Sequence, residues 1–415
     1  MLKTQEPALR RGFRPEILAP AGNLFKLKTA VRYGADAVYL AGRRFGLRSA
    51  ADNFSIGQIR EGCRFAHERG AKVYVVLNGF LFDEELAQLP LFLDQLAAAA
   101  VDAVIVSDLG VLATVRAHGG LTLHLSTQAS TLNTYGARFW RRMGVKRIVL
   151  GREVTIEEAA RIKRDAEVEV ELFAHGAMCM AYSGHCTISN YTAGRDSNRG
   201  GCIQSCRFQY RLSSVPGGPG PENFFLSSKD LRGIDQMASF SRHEIDSLKI
   251  EGRMKSALYV ATATHAYVRA RDGLPKARNA FGFDELDSFS HRDYTSGSLV
   301  ERAGPSSVYL HGEDEVNHSH EFLGWILDLY PPDSMAVLLK VKLTAGQVVE
   351  LMVPHGENVS IPTGTMKNLS GEPLAEAHPN QVVLLPYHPH ARDELLLRKP
   401  LHAQALRHAP TLVRG

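Results

Sequence analysis

No stretch of this sequence stays apolar for the ~18 residues that a membrane-crossing helix needs. The first fifteen residues, MLKTQEPALRRGFRP, hold arginines but no apolar core, so the pattern of a secretory leader is missing as well. We expect a cytoplasmic protein with no membrane partner. The standard hydrolase signatures are also absent. There is no His-Glu-x-x-His, no Gly-x-Ser-x-Gly and no Gly-x4-Gly-Lys-Ser/Thr, which speaks against a conventional metalloprotease, serine hydrolase or nucleotide hydrolase. No Gly-x-Gly-x-x-Gly turn follows a strand-like run, which disfavours an open dinucleotide-binding sheet. Neither charge sign dominates: 48 Lys and Arg against 44 Asp and Glu leave a net +4, which permits a polyanionic partner without requiring one. Cysteine is scarce and odd in number. Of five, four fall between residues 179 and 206, which points to metal or redox chemistry rather than a disulfide framework.

What is present is a repeat of one unit. Apolar, β-branched runs at 16–19, 36–40, 72–77, 102–107, 122–128, 146–150, 167–174 and 247–251 alternate with helical stretches at 23–33, 56–69, 83–100, 133–143 and 156–164. A closing helix is expected at 254–271. Strands that are apolar throughout suit a parallel sheet covered by helices, and eight β/α units count out a TIM-like (β/α)8 barrel over 15–275. A basic tail occupies 1–14, and the long insertion after the seventh strand, 175–222, contains the cysteines. Its end, 211–222, is a Pro/Gly/Ser loop. A connector, 276–318, leads to a small antiparallel β domain at 319–405, with runs at 321–328, 335–343, 347–353 and 381–385.

The cysteines read Cys-x6-Cys-x15-Cys-x3-Cys, at Cys179, Cys186, Cys202 and Cys206. Four thiolates from loops suit tetrahedral zinc or an iron–sulfur cluster. The wide first spacing and the glycines nearby favour the cluster, and zinc or unligated thiols remain alternatives. Cys63 shares a helical stripe with Ile56, Ile59 and Ala66, so a small buried hydrophobe is expected there.

A barrel directs the carboxyl ends of its strands into one bowl, where active sites form. Asn78, Asp108, Gln128, Arg152, Glu153, His175, Glu251 and Arg253 fall at such ends. Arg48, Arg152, Lys229 and Arg253 are candidates to hold a carboxylate or phosphate, with Gln128 as a further contact. His175, Glu153 and Glu251 are candidates to move protons or contact the reacting group.

The block ELFAHGAMCMAYSGHCTISNYTAGRDSNRGGCIQSCRFQY, with SSKDLRGI, SLKIEGRMKS, HLSTQAS and HRDYTSG, resembles the collagenase-like U-family peptidases. Within them it is most similar to the branch of prephenate-dependent hydroxylases of the tRNA wobble uridine. The resemblance implies an oxygen-sensitive [4Fe–4S] cluster on Cys179, Cys186, Cys202 and Cys206. It further implies hydroxylation of uridine carbon five without molecular oxygen, with prephenate as co-substrate and the anticodon loop of tRNA as partner. Sister branches hydroxylate a ribosomal RNA cytidine or a quinone precursor. A collagenase-like peptidase is the competing expectation, although no family nucleophile supports it here.

Overall fold

The computed structural model of the chain describes residues 13–47, 52–211, 220, 222–274, 285–304 and 318–401. Arg48, most of the basic tail, most of the Pro/Gly/Ser loop, much of the connector and the end of the C-terminal domain lie outside these residues.

Eight short strands form the centre: Glu16–Pro20, Ala37–Leu40, Lys72–Leu77, Ala103–Val106, Thr122–Leu125, Arg147–Val149, Glu169–Ala177 and Ser247–Ile250. Each pairs in parallel with its neighbours, and the last pairs with both the first and the seventh, so the sheet closes on itself. The expected barrel is therefore what forms. Val, Ile, Leu and Ala fill the layer between strands and helices because a closed parallel sheet leaves no wet outer face.

Helices start abruptly after the strands because capping residues stand there. Asn23, Asp108, Asn133 and Ser256 each accept a backbone N–H of the following helix, and Ser55 and Thr155 complete capping boxes with Gln58 and Glu158. Asp108, a polar residue at a strand end, thus serves as a cap. The single helix expected over 83–100 is broken into Asp83–Leu86 and Leu89–Ala98, with Pro90 in the first turn of the second piece.

The barrel interior is polar at its lower end. Glu16 accepts from Arg147 at 2.6 Å, from Tyr74 Oη at 2.8 Å and from Ser247 Oγ at 3.0 Å. One layer higher, Lys249 Nζ lies 2.8 Å from Glu171 Oε1, with both side chains buried. Such charges survive burial only because they are paired and hydrogen-bonded.

Beyond the eighth-strand closure the sheet gains two strands. Asp230–Arg232 runs antiparallel to the end of the seventh strand, and Tyr294–Thr295 pairs in parallel with it. Tyr294–Thr295, the end of the His291-Arg292-Asp293-Tyr294-Thr295 motif within the connector, thus joins the sheet.

The C-terminal domain is a six-stranded antiparallel sheet in the order Val359–Pro362, Val348–Leu351, Leu396–Pro400, His320–Tyr330, Ser334–Leu339, Val382–Pro386. Gly324 allows the bend at an irregularity in the longest strand, since a Cβ there would fall 1.9 Å from the Leu338 carbonyl oxygen. The domain has its own core of Leu323, Ile326, Val337, Leu351 and Leu397. It docks on the barrel through Tyr33, Leu258, Met352 and Leu396, and Tyr33 Oη donates to the Met352 carbonyl at 2.9 Å. Arg398, fully buried, joins Glu285 and Glu350 at 2.6 Å each.

Candidate active site at the barrel mouth

The seventh strand runs straight into the cysteine segment, and that segment turns back over the open end of the barrel. Gly184 makes this approach possible: its φ is +85°, and a Cβ would stand 2.0 Å from the Gln128 carbonyl oxygen. Ser130 Oγ donates to the Ser183 carbonyl at 2.5 Å from the barrel side. Within the segment, hydroxyls replace apolar packing. Thr192 Oγ1 donates to Ser205 Oγ at 2.7 Å, and the Ile203 N–H donates to Ser189 Oγ at 3.2 Å. The Arg207 guanidinium donates to the carbonyls of Met178, at 2.6 Å, and of Ser228, fastening the return of the chain to its start.

Between segment and barrel lies a cavity of about 160 Å³. Its roof includes Cys179, Cys186, Cys202, Cys206, Tyr182 and Asn198, and its floor and walls include Tyr39, Asn78, Gln128, Phe173, Lys249 and Arg253. All four cysteines are free thiols and all four face this one space. Burial pushes the Cys206 thiol up; Arg207 opposes this, and charge on Cys179, Cys202 and Cys186 pushes the same way, so the four sulfurs are electrostatic neighbours. Among the described residues no three His, Cys, Asp or Glu side chains gather as tightly as a single metal ion demands. Four thiols lining one cavity are a donor set that suits a group held by four thiolates.

Arg152, Arg253, Gln128 and Glu251 all line the cavity, as the barrel argument required. Arg152 lies flat on Phe173, its Cζ 3.8 Å from the ring centroid, and reaches Ser183 Oγ at 3.3 Å. The Glu251 backbone carbonyl accepts from Tyr259 Oη at 2.5 Å, which fixes the strand end that presents its side chain.

Three other candidates stand elsewhere. His175 is buried outside the cavity among Tyr259, Tyr267, Phe289 and Tyr294, with ring centroids 5.5–5.9 Å away. Two residues after the inward Phe173 it should share that face. A register irregularity opposite Lys249 and Ile250 turns the alternation over. Burial, followed by the charges of His291, Arg232 and Lys255, lowers its pKa to about 3, so it stays neutral and packs as an aromatic. His175 thus stands apart from the cavity that Glu251, another expected proton carrier at the end of the neighbouring strand, lines. Glu153 is half-buried and its carboxyl is raised chiefly by burial, but it does not line the cavity. Lys229 is half-buried before the added strand at Asp230 and does not line it either.

Lys249 is the cavity residue that sequence reasoning missed. It forms part of the lining, paired with Glu171 and lying 4.4 Å from the centroid of the Tyr39 ring. The signal was available: a lone lysine inside the apolar strand SLKI implies a buried partner or a ligand. Cys63 is buried on its helix as expected, and burial pushes its thiol up to about 12.

Residues 22–309 match the profile of Peptidase family U32. The chain belongs to that family. Residues 318–398 match the U32 C-terminal domain, so the sheet after the connector is part of the same architecture. Among curated proteins, the tRNA hydroxylation protein P1 of Bacillus subtilis is 40% identical over 386 residues, covering 89% of this chain and 91% of that protein. The tRNA hydroxylation protein P of Escherichia coli is 32% identical over 413 residues, with 87% and 91% covered. A 23S rRNA 5-hydroxycytidine synthase of Escherichia coli is 31% identical over 392 residues, covering 92% of this chain and 59% of that protein.

Proposed function

We propose that this U32 family member hydroxylates a pyrimidine base of RNA, in particular carbon five of the tRNA wobble uridine, at the cavity beneath its four cysteines. The observation that carries this reading is the convergence of Cys179, Cys186, Cys202 and Cys206 on the same cavity as Arg152, Lys249 and Arg253. The names of the relatives, two of them tRNA hydroxylation proteins, support RNA as the substrate class.

Replacing a ring C–H by C–OH adds an oxygen atom and removes two electrons from the base; an organic co-substrate supplies that oxygen and accepts the two electrons. The four thiolates would hold a [4Fe–4S] cluster, which supplies electron-transfer chemistry when bound. The chain's own residues do the rest. Arg152 and Arg253 bring two cations to the cavity lining, beside Lys249, whose charge the buried Glu171 already pairs, and the carboxylate Glu251, a set that suits an anionic co-substrate such as the dicarboxylate prephenate. Tyr39 and Phe173 line the cavity with a cation over each ring, Lys249 on Tyr39 and Arg152 on Phe173, which holds both cations in place at the site. Asn78 Nδ2 donates to Ser126 Oγ at 3.2 Å, so the polar groups on the opposite wall are already ordered.

The cavity lacks the pairs that peptide hydrolysis uses. Among the described residues no histidine lines it, so the serines and cysteines of the lining share it with no imidazole that could act as base. The family's peptidase name therefore finds no matching constellation at this site.

The test is the nucleoside profile of tRNA from a deletion strain without a redundant enzyme. Loss of 5-hydroxyuridine and its derivatives, restored by the wild-type gene but not by Cys202→Ser, is the expected result. Unchanged 5-hydroxyuridine refutes the reading. Anaerobic purification supplies the second arm: brown protein containing iron and sulfide supports the cluster, and colourless protein with stoichiometric zinc rules it out.

A further inference from the structure

The cysteine segment exposes an unusual set of side chains. Between residues 178 and 211 the large apolar residues left exposed are Tyr182, at 51%, Tyr191, at 93%, and Phe208, at 47%, and all are aromatic. The neighbouring loop after the third strand adds Phe80 and Phe82, the latter 67% exposed. No large aliphatic residue of the segment is exposed among the described residues.

The two loops form one surface. The Phe80 N–H donates to the Asn198 carbonyl at 3.2 Å, and Arg199 donates to the Phe80 carbonyl while its Cζ lies 4.1 Å from the centroid of the Phe82 ring. Asn198 lines the cavity and donates to the Cys186 carbonyl at 3.1 Å, so this surface continues directly into the site. Residues 178–211 contain Arg195, Arg199, Arg207 and Arg211 against the single acid Asp196, although Arg199 pairs with Glu85, Arg211 with Glu222, and Arg207 with two backbone carbonyls. Asp83 and Glu84, just beyond Phe82, mark its edge.

Tyr182 differs from the other exposed rings because it also lines the cavity. Among the described residues neither Tyr182 nor Tyr191 has its ring stacked on another ring or under a cation. Tyr191 sits on the short helix Ile188–Ala193, whose underside is fixed by buried Ser189, so the ring is held out rather than free to fold back. Rigid aromatic faces interleaved with guanidinium groups are what unpaired nucleobases and their phosphates bind.

We propose that Tyr182 and Tyr191 form a stacking platform for unpaired bases of the RNA substrate, Tyr182 taking the base that enters the cavity and Tyr191 one further along the strand. The proposal rests on the RNA reading above and adds to it the residues that select a loop over a duplex.

The experiment uses the anaerobically purified full chain, a labelled anticodon stem-loop RNA and a fully paired hairpin of the same length, with binding followed by fluorescence anisotropy at fixed salt. Tyr191→Ala and Tyr182→Ala should each weaken stem-loop binding roughly tenfold, the scale of one lost stack. Tyr191→Phe and Tyr182→Phe should retain wild-type affinity, and the paired hairpin should bind all variants alike. Alanine variants that keep the stem-loop preference overturn the platform and leave the RNA reading standing. A wild-type protein that binds hairpin and stem-loop equally overturns both. An equal loss for the two RNAs also overturns the platform, because it shows a damaged surface rather than a lost stack.

Discussion

The cysteine segment and the C-terminal domain are both additions to the barrel, and they are held together by opposite means. The C-terminal domain buries a continuous apolar core, including Leu323, Ile326, Val337, Val349, Leu351, Leu385 and Leu397, beneath one antiparallel sheet. Residues 178–211 contribute only Met178 to any apolar core. Their order comes from hydroxyl bridges, from Arg207 on two carbonyls, and from close backbone approaches such as that of Gly184. Four thiols then stand around a cavity where their charges oppose one another. A segment with so little buried apolar surface lacks the term that usually offsets chain entropy. The difference indicates that the C-terminal domain is stable by packing, whereas the cysteine segment is held by hydrogen bonds and close backbone approaches and, on the function proposed above, by the group its four thiolates would hold.

The most forceful way to break this comparison is to remove one sulfur. Cys202→Ser should abolish RNA hydroxylation and expose the segment between residues 179 and 206 to limited proteolysis, while the barrel and C-terminal domain resist. Mass spectrometry of the fragments locates the cuts. If the variant's segment proves as resistant as wild type, the hydrogen-bond network alone suffices and the contrast collapses.

Much of this layout was legible because packing writes itself into pattern. The eight barrel strands follow from apolar runs such as KVYVVL and SLKI, each spaced by a capped helix. The cysteine spacing and the arginines at the strand ends were equally readable, and Arg152 and Arg253 do reach the cavity. What was not legible depends on single irregularities. His175 changes side because of one register shift, which no alternation rule reveals. The strand at Asp230–Arg232 is three residues long and takes its partner from the distant Tyr294–Thr295. In the C-terminal domain, Val359–Pro362 and Leu396–Pro400 carry polar residues and end in proline, which hides their strand character.

The packed side of the comparison is tested at Arg398. Its guanidinium bridges Glu285 of the connector and Glu350 of the C-terminal sheet, all buried. Burial raises the Glu350 carboxyl, but the His320 hydrogen bond and the Arg398 charge outweigh it and hold the pKa down at about 2. Arg398→Ala leaves two buried carboxylates uncompensated and should cost about 3–5 kcal/mol in equilibrium denaturation. Arg398→Lys should recover only part of this, since one ammonium cannot reproduce the forked contacts. Neither change touches the cysteine segment, so its protease resistance should match wild type.

The smallest expected effect concerns the strand from which the segment departs. His175 and His265 are buried, with pKa values lowered to about 3 and about 4, chiefly by that burial. In the unfolded chain both titrate near ~6.5, so between pH 6.5 and the folded values the unfolded state binds more protons. Their contribution to stability is therefore complete above about pH 6.5 and is lost as pH falls toward 4 and then 3. Between pH 7 and pH 5 each histidine should remove on the order of 2 kcal/mol, a figure insensitive to how far below 5 the folded value lies. The measurement belongs in the Cys202→Ser background, where the thiol site does not bring its own pH dependence. There His175→Phe, which keeps an aromatic ring among Tyr259, Tyr267, Phe289 and Tyr294, should reduce the stability lost between pH 7 and pH 5 by about 2 kcal/mol, while His124 and His320, also lowered by burial, keep the rest of the slope. An unchanged slope would mean that the ring already opens to solvent in the native state, and that the base of the cysteine segment is as loosely held as the segment itself.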